Sequence, residues 1–286
     1  MIVGIVSPGA MGSAVGAALV RGGARVVVTL AGRSARTRRL AEGAGLEVLA
    51  GLGEVVDEAD VVLSIAPPEA ARSIAGDIAH ARGAGSRPLV ADLNAIAPQT
   101  ARILAQDLAE TGLELVDGSI SGPPPRTGGS TRVYLSGERA GEIADLPFEG
   151  VERIVVGDDV GSASAVKMST ASVYKGSSAL LVQALRAAHE NGVLEHVLDD
   201  LRAASPELVA NAERRLASAA SKSARYVGEM REIAATQEAA GLTPALFAAM
   251  AEVFASLSAS ELARSSPEAI PADLVLEEVL ERLRDG

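Results

Sequence analysis

The sequence predicts an α/β domain built on a doubly wound, mostly parallel sheet, followed by an all-α C-terminal domain. Three observations carry that expectation. From Met1 to about Val156, short β-branched runs alternate with longer alanine-rich amphipathic stretches, the pattern of βαβ units around a parallel sheet. After Gly161 the β-rich runs stop, and alanine, leucine and glutamate rise through successive helix-like segments. The change of character falls between Gly157 and Gly161, which predicts domains at 1–160 and 161–286.

In chain order, strands are expected at 2–6, 25–30, 46–49, 61–65, 89–92 and 113–118, with helices between them. Two further β-like runs, 132–136 and 153–156, close the sheet. The second part predicts helices over 162–190, 206–221, 224–240, 244–258 and 272–284, separated by loops carrying Gly241, Pro244 or Pro267.

Composition narrows the function classes. With 286 residues, 48% of them apolar, the chain can bury a sizeable core. It has no cysteine, which removes disulfides, thiolate nucleophiles and cysteine-ligated metal, and suits a reducing compartment. His80, His189 and His196 are scattered and read as surface histidines, so no metal is expected. A formal charge of −11 argues against nucleic acid, whose phosphates need a basic surface. No basic leader precedes the first apolar run, which Pro8 and glycines interrupt, and no run of roughly 20 apolar residues lacks a charge or breaker. A cytoplasmic protein without a membrane span is therefore expected.

The first strand leads straight into Ser7-Pro8-Gly9-Ala10-Met11-Gly12 and then into helical composition. A strand, a tight glycine turn and a helix start make an anion site, because unpaired backbone N–H groups and the helix dipole point at a pyrophosphate. Gly9 allows the backbone to approach phosphate, Gly12 allows close packing of helix on strand, and Ser7 stands where a G-x-G-x-x-G has its first glycine. The plainer alternative is a short loop whose glycines bind nothing.

The end of the second strand is where a Rossmann domain reads the adenosine ribose: an acid takes the 2′-hydroxyl of NAD, arginine the 2′-phosphate of NADP. No acid stands there. The segment Leu30-Ala31-Gly32-Arg33-Ser34-Ala35-Arg36-Thr37-Arg38-Arg39 places four arginines within seven residues of an otherwise acidic chain. A guanidinium fork matches phosphate, and the hydroxyls of Ser34 and Thr37 can add hydrogen bonds. Arg33 and Ser34 are the main candidates, since Arg36, Arg38 and Arg39 cannot all face the cofactor. A solvated basic helix face is the alternative.

Against 23 arginines the chain keeps only three lysines, Lys167, Lys175 and Lys222. Two of them lie close together at the proposed domain junction. Burial can lower a lysine pKa from about 10.4 toward neutrality, which lets it exchange a proton with a hydroxyl or carbonyl oxygen; arginine stays protonated. At helical spacing Thr170, Ala171 and Tyr174 share a face with Lys167, and Lys175 is turned off it, so Tyr174 is a second candidate proton donor or substrate-orienting group. A salt-bridged surface role is the alternative for Lys167, as a structural role is for Tyr174 and Lys175.

In this order, along most of the chain, the motifs resemble those of the β-hydroxyacid dehydrogenase and 6-phosphogluconate dehydrogenase superfamily, which also holds the imine reductases. The loop from Pro8 to Gly12 is similar to the family's G-x-G-x-M-G, and Gly32-Arg33-Ser34 looks like its NADP-selecting turn. Asp92-Leu93-Asn94-Ala95-Ile96-Ala97-Pro98 resembles the D-x-S-T-x-x-P segment beside the nicotinamide, with Asn94-Ala95 in place of Ser-Thr. Ser121-Gly122 falls at the S-G-G substrate motif, from which Pro123-Pro124-Pro125 departs. Gly161 to Lys167 matches G-x-G-x-x-x-K with Ala163 for the second glycine, while Ala171 replaces the family's substrate-holding asparagine. The stretch from Arg225 to Met230 resembles the phosphogluconate-dehydrogenase-like C-terminal branch.

The resemblance implies a catalytic Lys167, with Tyr174 beside it. It implies NADP(H) contacts at Ser7, Pro8, Gly9, Ala10, Met11, Gly12, Arg33, Ser34, Thr37, Ala66, Pro67 and Asn94. Substrate contacts follow at Ser121, Gly122, Thr170, Ala171 and Lys175, with Asn94 and Ser121 orienting the substrate. It further implies a homodimer whose C-terminal helices complete the partner's site, which would bring in Arg225 and Glu229; an ordinary amphipathic helix is the alternative there. The activity expected is hydride transfer between nicotinamide and a small hydroxyacid or ketoacid. Imine reduction is the second reading, and an NADPH-binding sensor or scaffold without turnover is the third.

Overall fold

The computed structural model describes residues 1–265, 270–271 and 273–284. The chain divides into two compact units, Met1–Met168 and Ser169–Gly286.

In the first unit the elements run β1 (Ile2–Val6), α1 (Ala10–Arg21), β2 (Arg25–Thr29), α2 (Ala35–Gly43), β3 (Glu47–Leu49), α3 (Leu52–Glu58), β4 (Val61–Ser64), α4 (Ala71–Ala81), β5 (Leu89–Asp92), α5 (Pro98–Ala109), β6 (Leu115–Ser121), β7 (Thr131–Ser136), α6 (Ala140–Ala144), β8 (Val151–Gly157) and the start of α7 (Ser162–Glu190). The sheet order is β3-β2-β1-β4-β5-β6-β7-β8, parallel as far as β6. The strand β7 is antiparallel to β6, and β8 is parallel to β7.

Central strands of such a sheet are covered on both faces and read as continuous apolar runs. Alternate residues divide between two cores. Val3, Ile5, Val61, Leu63, Leu89 and Ala91 join Val15 and Leu19 of α1 on one face. Val6, Val62 and Val90 join Val56, Ile74, Ile78, Leu104 and Leu108 of α3, α4 and α5 on the other. At roughly 25 cal/mol per Å² of apolar surface buried, this two-sided burial is what holds β1, β4 and β5 at the centre.

The strand β6 differs from its expectation. It runs on to Ser121 instead of ending at Gly118, because its last residues pair antiparallel with β7, Ser121 opposite Arg132. The segment carrying Ser121 is therefore strand, with its register fixed by hydrogen bonds. The remaining strand ends fall within two residues of expectation.

The second unit contains the rest of α7, then α8 (Leu194–Ala204), α9 (Pro206–Val209), α10 (Ala212–Ser221), α11 (Ser223–Ala239), α12 (Ala245–Ser258) and α13 (Leu276–Arg282). Within it Phe254, Leu257, Met230, Ile233, Leu216 and Val279 are buried, and Tyr226 of α11 meets Phe254 of α12 edge to face at 5.1 Å. The single helix expected over 206–221 is two. Asn211 sits at φ +54°, a left-handed conformation asparagine tolerates, and it ends α9 and starts α10. The helix α8 was not expected; its signal is the spacing of Leu194, Leu198 and Leu201, of which the first two are buried. The start of the last expected helix, Ala272, and the loop residue Pro267 lie outside the described residues. Among the described residues no helix is long and apolar enough to cross a membrane, and no cluster of three His, Asp or Glu could hold a metal.

Candidate functional site

All strands from β1 to β6 point the same way, so their carboxyl ends form one edge of the sheet, and β1 and β4 flank the point where strand order reverses. The candidates of the first unit collect at that edge: the loop after β1, the turn after β2, Ala66 and Pro67 after β4, Asn94 after β5, and Ser121 and Gly122 at the end of β6.

The loop after β1 is built around Ser7, which takes φ +70°. It stands at the first-glycine position, and the backbone demands of it the conformation glycine adopts most easily. The Gly9 N–H returns to the Ser7 carbonyl at 2.7 Å, and the buried Ser13 hydroxyl donates to the Pro8 carbonyl at 2.7 Å, closing the loop on α1. A Cβ on Gly12 would stand 2.6 Å from the Ser7 carbonyl oxygen, so glycine lets α1 start against the loop itself. A Cβ on Gly9 would meet nothing within 4 Å. Gly9 thus borders open space immediately before a 12-residue helix that starts at Ala10, a loop that fits a pyrophosphate.

After β2 the chain turns through Gly32 at φ +68°, with the Arg33 N–H on the Leu30 carbonyl at 3.1 Å. Ser34 caps α2: its Oγ accepts from the Thr37 N–H at 3.2 Å and lies 3.2 Å from the Thr37 hydroxyl. Arg33, Arg36, Arg38 and Arg39 are exposed. Arg38 donates to the Leu30 carbonyl at 3.1 Å, and none of the ion pairs among the described residues involves Arg33, Arg38 or Arg39. The turn is therefore held in shape by backbone, hydroxyl and Arg38 contacts, and Arg33 and Arg39 stand exposed beside it.

Asn94 has a different employment from the one its position suggests. It is 2% exposed, and its side-chain amide donates to Ser64 Oγ at 3.0 Å and Asp92 Oδ2 at 2.7 Å, while its Oδ1 accepts from the Ala66 N–H at 2.5 Å. This side chain ties the ends of β4 and β5 together and so positions Ala66. Burial, with a smaller push from Asp117, raises the carboxyl of Asp92 from 3.8 to about 7, against hydrogen bonds from Asn94 and Ser64.

Asp117 on β6 is fully buried, and burial raises its pKa too. Its Oδ2 accepts from the N–H groups of Gly161 and Ser164, both at 3.0 Å, and from Ser136 Oγ at 2.9 Å; its Oδ1 accepts from Ser164 Oγ at 2.6 Å. One turn farther along α7, Lys167 donates from Nζ to the carbonyl of Ile120 at 2.8 Å, beside Ser121. Gly122 follows at φ +103°, where a Cβ would crowd the Ser130 carbonyl oxygen at 3.0 Å, so the chain can leave the strand sharply only with glycine there. Sequence reasoning missed Asp117, Ser136 and Ser164; the available signal was an acid inside an otherwise apolar strand.

Thr170, Ala171, Tyr174 and Lys175 belong to the second unit. Ala171 is 3% exposed and brings no polar group, and Tyr174 is 70% exposed. Lys175 turns inward: its ammonium pairs with Glu229, which is 3% exposed, and lies 4.8 Å from the centre of the Tyr226 ring. Arg225 reaches the other Glu229 oxygen at 3.5 Å. Burial raises the Tyr226 hydroxyl above its ordinary pKa.

The pattern of the NAD binding domain of 6-phosphogluconate dehydrogenase matches residues 2–141, and that of a domain of unknown function (DUF1932) matches residues 188–257. An uncharacterized 28.5 kDa protein in the 7S RNA 5′ region of Methanothermus fervidus is 27% identical over 170 residues, 59% of this chain. The match spans 64% of that relative, just under two thirds of its length. A solved conserved protein of unknown function, described as structurally similar to 3-hydroxyacid dehydrogenases, is 30% identical, with a TM-score of 0.66 over 90% of this chain and 97% of that one. Two further structures share the fold at lower identity. They are a Mycobacterium tuberculosis 3-hydroxyisobutyrate dehydrogenase with L-serine (22% identity, TM-score 0.67) and a Streptomyces aurantiacus imine reductase (20%, 0.57), each covering 99% of both chains. With the sheet order, the glycine loop and these relatives in agreement, the chain belongs to the β-hydroxyacid dehydrogenase and 6-phosphogluconate dehydrogenase superfamily.

Proposed function

We propose that the protein is an NADP(H)-dependent oxidoreductase that transfers hydride between the nicotinamide and a small hydroxyacid or ketoacid, with Lys167 as general acid/base. The observation that carries this reading is the placement of the Lys167 ammonium on the Ile120 carbonyl, beside Ser121, at the same sheet edge as the glycine loop. A bound nicotinamide supplies the hydride donor or acceptor. The backbone at Gly9, Ala10 and Met11 holds the pyrophosphate, Arg33 with Ser34 and Thr37 receives the 2′-phosphate, and Ala66 and Pro67 border the cofactor. Ser121 orients the reacting hydroxyl. Lys167 takes the hydroxyl proton in oxidation and returns it to the carbonyl oxygen in reduction, so both transfers occur at one C–O bond.

Imine reduction is the second reading, supported by the buried, apolar Ala171, which offers no amide to a substrate carboxylate. In that case Tyr174 or Lys167 protonates nitrogen. The homodimer belongs to the same proposal, and exposed Val173, Tyr174 and Leu180 on α7 give a partner an apolar strip to cover. A cytoplasmic location suits the cysteine-free composition.

The test measures absorbance at the NADPH band for wild type and Lys167→Ala, with hydroxyacids plus NADP⁺ and with ketoacids and cyclic imines plus NADPH. Turnover on an oxygen substrate that collapses in the variant is expected. Turnover confined to imines, or undiminished in the variant, transfers the assignment to imine chemistry and Tyr174; NADPH binding with no turnover on any substrate supports a sensor.

A further inference from the structure

We propose that Asp117 is the positioning residue that sets where Lys167 presents its ammonium. The proposal rests on the proton-handling role given to Lys167 above. The physical starting point is the beginning of α7. A helix leaves its first N–H groups without intrahelical partners, and a serine, threonine or aspartate just before the helix ordinarily satisfies one of them. Here Gly161 stands there, at φ +103° and with a Cβ position 3.0 Å from the Pro98 carbonyl oxygen, so no side chain can be supplied locally.

The missing cap comes from the sheet. Asp117 accepts from the Gly161 and Ser164 N–H groups and from the Ser164 hydroxyl, and Ser136 Oγ accepts from the Ala163 N–H at 3.0 Å while donating to Asp117. Ser119 Oγ, two residues along β6, donates to the Ala163 carbonyl at 2.9 Å. A carboxylate buried inside a strand is costly unless its oxygens are satisfied, and here most of its donors come from one helix start. The same strand then receives the tip of the lysine: Ile120, three residues after Asp117, accepts from Lys167 Nζ. Strand β6 therefore holds α7 at its first turn and the ammonium one turn later. Ser121 follows on that strand, so the helix start, the lysine and the substrate-orienting hydroxyl share one rigid reference. Removing the carboxylate frees the helix start from this reference while leaving the glycine loop and the Arg33 turn untouched.

The experiment uses the full chain labelled with ¹³C,¹⁵N-lysine. Three lysines give three sets of ε signals, and that of Lys167 is the one lost in Lys167→Arg. Asp117→Asn keeps the size of the side chain and turns one acceptor into a donor facing other donors. The Lys167 ε signal is expected to move toward the position of a mobile lysine while those of Lys175 and Lys222 stay. NADPH affinity should remain within about twofold, and kcat on the best substrate should fall about a hundredfold, the scale of a misplaced catalytic group. Ser164→Ala, which removes the donor to Oδ1 alone, should move the same signal by less, and it decides the matter if Asp117→Asn does not fold. An unmoved Lys167 signal in the folded variant, or all three lysine signals moving together, overturns the proposal. A wild type that neither binds NADPH nor turns over any substrate sinks the functional reading, and the lysine signals still report whether Asp117 places Lys167.

Discussion

Two stretches of α7 show what one helix can do with the same side chain. At its start Lys167 is directed onto the backbone carbonyl of Ile120 on β6. Eight residues on, Lys175 meets the buried carboxylate of Glu229 and the face of Tyr226. Desolvating an ion pair costs about as much as its attraction returns, so such a pair holds a packing arrangement together and leaves little charge for chemistry. The contrast teaches that two lysines on one helix can be given different acceptors, a strand carbonyl and a buried carboxylate, which under the proposed function are the settings of a proton-exchanging group and of one that fastens helices.

The largest expected effect tests the chemical side of that contrast. Lys167→Ala should lower turnover by about 10²–10⁴-fold, the range for loss of a general acid/base, with NADPH binding retained. Equal losses from Lys175→Met and Lys167→Ala in initial rates, at matched folded fractions, would erase the distinction. On the structural side, Lys175→Met should cost about 3 kcal/mol in urea unfolding, because Glu229 stays buried with, among the described residues, only Arg225 at 3.5 Å to answer it. Adding Glu229→Leu should recover most of the loss; a double variant no better than the single would show that the pair does more than satisfy itself.

The buried carboxyl of Asp92 gives the first unit a pH signature. Asp92 keeps its proton to about pH 7 when folded and releases it near 3.8 when unfolded, so between these values the folded state binds more protons. Its contribution is fully present below about pH 4 and is lost as pH rises through 7, by an amount on the order of a few kcal/mol. Asp92→Asn, which mimics the protonated acid, should flatten that fall when melting curves at pH 5 and pH 8 are compared. A smaller effect is expected at the cofactor turn: Arg33→Ala should weaken NADPH about tenfold and leave NADH unchanged in fluorescence titrations, and equal weakening of both would remove the 2′-phosphate assignment. The smallest concerns the glycine loop, where Ser7→Gly should raise stability by no more than about 1 kcal/mol, since relief of the positive φ is partly offset by greater freedom in the unfolded chain.

Much of this molecule was legible in the order of its residues. Apolar runs at β1, β4 and β5 announced strands covered on both sides, because a doubly buried strand leaves no polar alternation. Ser7 to Gly12 and the arginines after β2 declared their setting through local geometry and charge. Gly122 and Gly161 were visible as motif positions, although the carbonyl oxygens that demand them, from Ser130 across the β6–β7 hairpin and from Pro98 far back in the chain, are brought there by the fold. Helix α8 and the break at Asn211 escaped because short helices depend on burial more than on propensity.

The sequence by itself determined the sheet, the loop that fits a dinucleotide and the family, since periodicity and turn chemistry are local properties. Only the tertiary structure decided which polar residues are occupied inside the protein. Asn94 is spent on tying β4 to β5, Asp117 on starting α7, and Glu229 on Lys175. The reason is that a buried polar atom must find its partner wherever the folded chain brings one, and partners 28, 47 and 54 residues away leave no mark on the pattern between them.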